Sequence, residues 1–106
     1  MINFEEFQKV ELQVAKVITA EKVEGSEKLI KLQIDTGEDE RQIVAGIAQF
    51  YKPEDLIGKK IAIVANLEPR KLMGLESQGM LLAADYNGQP VLLMPDKEVP
   101  PGTKIR

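Results

Sequence analysis

The amino-acid sequence predicts an all-β barrel of five short strands in a single domain, residues 1–106. Three observations carry this prediction: apolar and polar residues alternate with a period of two, two short runs are continuously apolar, and glycine or proline separates the segments. A chain of 106 residues has the size of one domain, because domains cluster at roughly 100–150 residues.

The N-terminal residues predict a short helix followed by a long strand. Asn3 with Glu6 three residues later is a weak capping box, which favours a helix from Phe4 to Lys9. From Val10 onward apolar residues recur at every second position. Lys16 interrupts the apolar face, and such a break in a long strand predicts a bulge that bends it.

Two further strands complete a predicted three-stranded meander. Gly25-Ser26 marks a turn, after which every second residue from Ile30 to Ile34 is apolar. Thr36-Gly37 and the acidic residues behind it mark the next turn, and Gln42 to Ala45 forms the third predicted strand.

The second half of the chain adds one helical turn and more strands. Pro53 to Gly58 has proline at its start, acids near its positive end and glycine at its exit. The apolar runs Ile61 to Ala65 and Met80 to Ala84 predict strands buried on both faces. Asn87-Gly88 predicts a hairpin into a strand over Val91 to Met94, ahead of an extended proline-rich tail.

Five strands with a short helix between the third and the fourth match the order of an oligonucleotide/oligosaccharide-binding (OB) barrel. Another small barrel or a sandwich fits the same pattern, since periodicity does not reveal strand order. The 14 residues between the two apolar runs, Asn66 to Gly79, are rich in polar groups and form a long predicted loop. Such loops in small domains are usually functional.

Composition excludes most kinds of chemistry. The chain has no cysteine and no histidine, which removes disulfides, thiolate or imidazole metal sites and the common nucleophilic triads. The acidic turn at Asp35 and Glu38–Glu40 lacks the spacing of a calcium loop and predicts a solvated surface. We therefore expect no catalytic residue, no cofactor and no metal. No apolar run approaches the roughly 20 residues needed to span a bilayer, and the N terminus lacks the basic region of a signal peptide, so we expect a cytoplasmic protein without membrane contact.

Positive charge is concentrated in one segment of an otherwise acidic chain. The formal net charge is −3, yet Lys59 to Lys71 carries four cations against the single acid Glu68. Pro69 holds Arg70 and Lys71 at a strand exit, where they could contact phosphate. Lys28 and Lys31, at the turn into the second strand, could extend this patch. The alternative is an ordinary solvated surface.

Residues Ser77-Gln78-Gly79-Met80 offer a hydroxyl, an amide and a flexible apolar side chain, groups that can contact sugars and unpaired bases of RNA. The alternative is a turn with Met80 at the start of a core strand. Aromatic residues make up only 5% of the chain, so stacking of the kind used by general single-strand binders is weakly supported.

Five stretches closely resemble the tRNA-binding domain at the C terminus of methionyl-tRNA synthetases, which also occurs as a stand-alone structure-specific tRNA-binding protein and as a separate synthetase beta subunit. They are Val10–Val17, Val23–Leu29, Arg41–Ile47, Val64–Lys71 and Glu76–Ala84. The chain starts with Met1 and has room for this domain alone, so we expect the stand-alone form or an excised synthetase domain.

The resemblance implies an OB barrel that dimerises through its N-terminal helix and C-terminal strands. It implies binding of tRNA by shape, with little sequence preference, and support of a methionyl-tRNA synthetase catalytic subunit. Glu68 stands where many relatives carry lysine, which weakens the expected phosphate contact. By position, the resemblance implies an RNA-facing set of Lys28, Asn66, Arg70, Lys71, Ser77, Gln78 and Met80.

Two other classes share features with this chain. The export chaperone CsaA, which binds proteins, has the same fold, but its relatives diverge in the Pro-Arg-Lys and Ser-Gln-Gly-Met stretches that this chain keeps. A cytokine-like tRNA-binding module of higher organisms carries an additional C-terminal domain. An enzyme is least supported, since no acid, base or nucleophile constellation is present.

Overall fold

A computed structural model describes residues 1–106 as two short helices and ten strands. Their bounds are α1 Phe4–Gln8, β1 Leu12–Lys22, β2 Ile30–Asp35, β3 Glu40–Ala45, α2 Pro53–Leu56, β4 Lys60–Val64, β5 Arg70–Leu72, β6 Leu75–Ser77, β7 Met80–Leu81, β8 Ala83–Tyr86, β9 Gln89–Leu92 and β10 Lys104–Ile105.

The main sheet curls into a nearly closed antiparallel barrel with the strand order β3-β2-β1-β4-β7, and β10 is added beside β1. The first part of β1 pairs with β4 and the second part pairs with β2. The register between β1 and β2 shifts between Val17 and Thr19. This irregularity is the predicted bulge, and it lets one strand serve two sides of the barrel. The predicted all-β, OB-like class is confirmed.

The barrel core consists of aliphatic side chains, most of them β-branched and most of them contributed by the strands. In β2, Ile30, Leu32 and Ile34 are buried while the residues between them are half-exposed, as the sequence predicts. Leu56 of α2 is completely buried and closes one end of the barrel. The capping box at Asn3 and Glu6 is also present.

The barrel closes along a seam where β3 meets residues 76–78 through side chains as well as backbone. Gln42 donates its backbone N–H to Gln78 Oε1 (3.0 Å) and its amide to the Glu76 carbonyl (2.8 Å), while the Gln78 N–H donates to the Gln42 carbonyl (2.7 Å). The buried Ser77 hydroxyl accepts the Val44 N–H (3.0 Å) and donates to the Gly79 carbonyl (3.1 Å). Side-chain groups thus replace part of the strand ladder.

The C-terminal tail is strapped across β1. The Val14 N–H donates to the Thr103 carbonyl (2.8 Å), and the Gly102 N–H donates to the Val14 carbonyl (2.6 Å). Gly102 has φ +90°, and a Cβ there would collide with the Thr36 carbonyl oxygen. Farther up the tail, Glu98 accepts a hydrogen bond from the Lys60 ammonium (2.8 Å), which lowers the pKa of that carboxyl.

Two details differ from the sequence-based prediction. Met80 to Ala84 is not one strand buried on both faces: Met80 is 45% exposed, Ala84 is exposed, and the run divides between β7 and β8. The reason is that β7 pairs with β4, whereas β8 leaves the barrel to pair with β9. The predicted loop from Asn66 to Gly79 contains the hairpin of β5 and β6.

The first prediction concerns the tail. Gly102→Ala should lower the free energy of unfolding by about 2 kcal/mol, from left-handed backbone strain plus the collision with Thr36. Gly88→Ala is a matched control, because Gly88 has φ +83° but no atom within 4 Å of an added Cβ. Thermal melts of both variants test this, and equal losses would contradict a close approach of tail and barrel.

The second prediction concerns the seam. Ser77→Ala should destabilise the protein by about 1–3 kcal/mol, because the Val44 N–H is left buried without an acceptor. Ser26→Ala serves as the control, since the Ser26 hydroxyl also accepts backbone N–H groups, those of Lys28 and Leu29, in a turn open to water. Urea titration measures both losses. A smaller loss of unfolding free energy for Ser77→Ala than for Ser26→Ala would contradict a stabilising role of the seam.

Candidate nucleic-acid interface

The hairpin of β5 and β6 directs its two cations to opposite faces. It turns at Met73 and Gly74, both at positive φ (51° and 78°), a conformation suited to a tight two-residue turn. Arg70 pairs with Ser77, and Lys71 pairs with Glu76. Because successive residues of a strand point to opposite faces, Arg70 and Lys71 do not share a face. Arg70 is directed to the barrel seam and Lys71 away from it.

The tip of this hairpin reaches the turn between β1 and β2. A Cβ added to Gly25 would lie 3.7 Å from the methyl carbon of Met73. The same turn carries Lys28, which is exposed. Contact between the two loops therefore brings Lys28 to the end of the barrel that carries Arg70 and Lys71.

A cavity of about 280 Å³ opens beside the hairpin. Its wall is formed by the end of β3, the β4–β5 connection, the hairpin and the start of β7, and most of its lining residues are apolar. We call this cavity the seam slot. Leu67 and Met80, each 45% exposed, line it together with Arg70 and Glu68.

The charges around the seam slot are not neutralised by the protein itself. The three ion pairs of the structure join Lys31 to Glu21, Arg41 to Asp39 and Lys60 to Glu98. Lys28, Glu68, Arg70 and Lys71 are exposed and take part in none of them. Their charges are available to a ligand.

The basic segment of the sequence does not form one patch. Lys59 and Lys60 lie at the start of β4, whereas Arg70 and Lys71 lie beyond its end. A strand of this length spans about 13 Å. Lys60 is paired with Glu98, and the Lys59 ammonium lies 5.8 Å from the centre of the Tyr51 ring. Of these four cations, only Arg70 lines the seam slot.

Three of the predicted RNA-facing residues make structural hydrogen bonds. Asn66 accepts the Glu11 N–H (2.9 Å) and donates to the Lys9 carbonyl (2.6 Å), which ties the exit of β4 to the start of β1. Ser77 and Gln78 form the seam with β3. Lys31 is half-buried, with its ammonium 2.6 Å from Glu21. The structure therefore brings together Lys28, Arg70, Lys71 and Met80, with Ser77 and Gln78 beneath them.

Two residues of this surface were missed by sequence reasoning. Met73 is 61% exposed and stands at the hairpin tip with φ 51°, a strained conformation for a residue other than glycine. Leu67 is exposed at the rim of the seam slot. A signal for Met73 existed in the Met-Gly pair between two three-residue strands, but the surrounding segment has no clear alternation.

No three acidic side chains are arranged to hold a metal ion. Neither of the two helices has the length and apolar character required to cross a bilayer.

Comparison with known proteins gives consistent matches. The family described as "Putative tRNA binding domain" matches residues 12–104. The methionine–tRNA ligase of Caldanaerobacter subterraneus subsp. tengcongensis is 61% identical over 104 residues, covering 98% of this chain and 16% of the ligase. The chain thus spans about one sixth of the length of such relatives.

Two solved structures share the whole fold. The MetRS-related protein from Pyrococcus horikoshii has a TM-score of 0.95 and 44% identity, covering 100% of this chain and 98% of that one. The chaperone CsaA from Bacillus anthracis has a TM-score of 0.90 and 40% identity, with coverage of 100% and 99%.

These matches confirm both the resemblance noted in the sequence and the prediction of a non-catalytic module. The chain belongs to the tRNA-binding domain family and is homologous to the C-terminal domain of methionyl-tRNA synthetase.

Proposed function

We propose that residues 1–106 form one tRNA-binding module that recognises tRNA by shape and charge, with little dependence on sequence, and that supports a methionyl-tRNA synthetase. The observation that carries this proposal is the set of uncompensated cations at one end of the barrel, Lys28, Arg70 and Lys71. In a chain of net charge −3, such a set favours an anionic partner, and RNA phosphates match it. The place of action is the cytoplasm.

The eight proposed RNA-binding residues divide into two roles. The first role is direct contact: Lys28, Arg70 and Lys71 bind phosphate, and Met80 contacts a sugar or an unpaired base. Lys31 contributes a weaker positive charge to the same surface, because it forms an ion pair with Glu21. Asn66, Ser77 and Gln78 contribute to the RNA-facing surface by fixing the strands that carry these side chains, as their hydrogen bonds to backbone groups support.

A homodimer is the proposed assembly. The apolar side chains Phe4 (69% exposed), Phe7 and Val10 cluster at the N terminus, and α1 has only five residues, too few to be stable without a docking surface. A two-fold contact there, extended by the C-terminal strands, would bury this surface and give one particle two RNA-binding ends.

Chaperone activity is the competing function. The CsaA structure matches over the full chain, and the tip residues Leu67, Met73 and Met80 expose apolar surface, which could bind unfolded peptides. Free cations around this surface favour RNA instead. Suppression of the aggregation of a denatured client by this protein, together with no binding of tRNA, would establish the chaperone function in place of the proposed one.

The third prediction concerns phosphate binding. Purified protein should bind tRNA, with affinity falling as salt rises, and Arg70→Ala and Lys71→Ala should each reduce the magnitude of the slope of log K against log salt by about 0.7–0.9. Arg70→Ala should weaken binding more, since Arg70 also lines the seam slot. Lys97→Ala, which removes an exposed cation from the tail, is the control. Filter binding at several salt concentrations tests this, and a folded double variant that binds as well as wild type would refute it.

The fourth prediction concerns the dimer. Sedimentation equilibrium at micromolar concentration should give about twice the chain mass of 11.8 kDa, and Phe4→Glu should shift the protein toward the monomer because a buried charge opposes association. Tyr86→Glu, at the β8–β9 turn, is an exposed aromatic control. A wild-type mass equal to that of one chain would exclude the dimer.

A further inference from the structure

We propose that the seam slot is a base-reading site, in which a single unpaired nucleobase of RNA inserts and Glu68 accepts a hydrogen bond from an amino group on its edge. This inference rests on the proposed RNA binding and deepens it, because it adds a base preference to a shape-based interaction.

The size and the lining of the slot fit such an occupant. A cavity of about 280 Å³ lies just below the range for drug-sized ligand pockets, roughly 300–1,000 Å³, and is several times larger than the approximately 30 Å³ of one water. Its apolar wall and the flexible Leu67 and Met80 at its mouth suit a flat, weakly hydrated ring. Methionine can contact a ring without the fixed geometry of aromatic stacking.

The charges at the rim identify the occupant as a nucleotide rather than an apolar amino acid. Arg70 lines the slot and has no acidic partner. The sugar that carries the inserted base is linked to a phosphate on each side. Arg70 can therefore bind a flanking phosphate while the base fills the cavity. An apolar peptide side chain would leave this guanidinium without a partner.

Glu68 supplies the base preference. Glu68 lines the same slot, and its carboxylate takes part in none of the ion pairs of the protein. An ionised carboxylate only accepts hydrogen bonds. Cytosine and adenine present an exocyclic amino group to it, whereas uracil presents carbonyl oxygens beside its single N–H, and these repel the carboxylate. The acid that weakens phosphate binding therefore selects amino-bearing bases.

The test measures competition with labelled tRNA by short cytidylate, adenylate and uridylate oligomers of equal length. We expect cytidylate and adenylate to compete about tenfold better than uridylate, as for one hydrogen bond to a charged group. Glu68→Gln should reduce this preference to about twofold. Glu76→Gln is the control: it changes the charge by the same amount, but Glu76 lies opposite Lys71 in the strand register, on the other face of the hairpin from Arg70, and should leave the preference intact.

A second variant fills the slot. Gly46 lines it, has an ordinary φ, and has no atom within 4 Å of an added Cβ. Gly46→Leu should weaken binding of all three oligomers while the salt slope for tRNA stays unchanged, and Gly46→Ala should have a smaller effect. Thermal melts establish that each variant is folded.

The outcomes separate this inference from the function on which it rests. If wild-type protein binds no tRNA, both are overturned. If wild type binds tRNA but the oligomers compete equally, if the two glutamine variants behave alike, or if folded Gly46→Leu binds the oligomers as wild type does, the base-reading slot is overturned and tRNA binding stands.

Discussion

The polar seam between β3 and residues 76–78 is the constraint on which the rest of the structure depends. A small barrel closes only when the edges of its sheet meet. Here the edge strand β3 is joined to residues 76–78 partly by the side chains of Ser77 and Gln78. Every buried side-chain polar atom has a hydrogen-bond partner. When all hydrogen bonds of a buried network are made in one arrangement, the network opposes a change of strand register, because any shift would leave a donor or an acceptor unpaired. The seam therefore fixes the hairpin, the seam slot and the position of Arg70.

Local pattern predicted the parts of the fold whose environment is set by nearest neighbours. The alternation in β2, the bulge in β1 and the Asn87-Gly88 turn follow from side-chain period and backbone preference, and the structure contains all three. The division of Met80–Ala84 between two sheets could not be predicted, since it depends on which distant strand covers each face. Hydrophobicity indicates that a run needs cover, and it does not indicate what provides that cover.

The same limit applies to the candidate site. Charge counting along the chain grouped Lys59 and Lys60 with Arg70 and Lys71, but β4 separates the two pairs and Glu98 neutralises Lys60. Glu98 lies 38 residues from Lys60 in the sequence, so this pairing has no local signal. The positive charge of Lys31 is likewise offset by its ion pair with Glu21 on the neighbouring strand. The resemblance of the sequence motif identified Arg70 and Lys71 as candidates. Only the tertiary structure could show that neither of them forms an ion pair within the protein.

Freedom from internal partners is also the physical basis on which the proposed RNA-binding surface is compatible with an acidic protein. At physiological ionic strength the Debye length is about 8 Å, so exposed charges farther away are largely screened. Phosphate near the hairpin thus interacts with Arg70 and Lys71 and little with the net charge of −3. Because CsaA and the MetRS-related protein have nearly the same backbone as this chain, the barrel alone does not determine the ligand. The ligand is determined by which side chains at the barrel end keep their charge and their hydrogen-bonding capacity after the seam has formed.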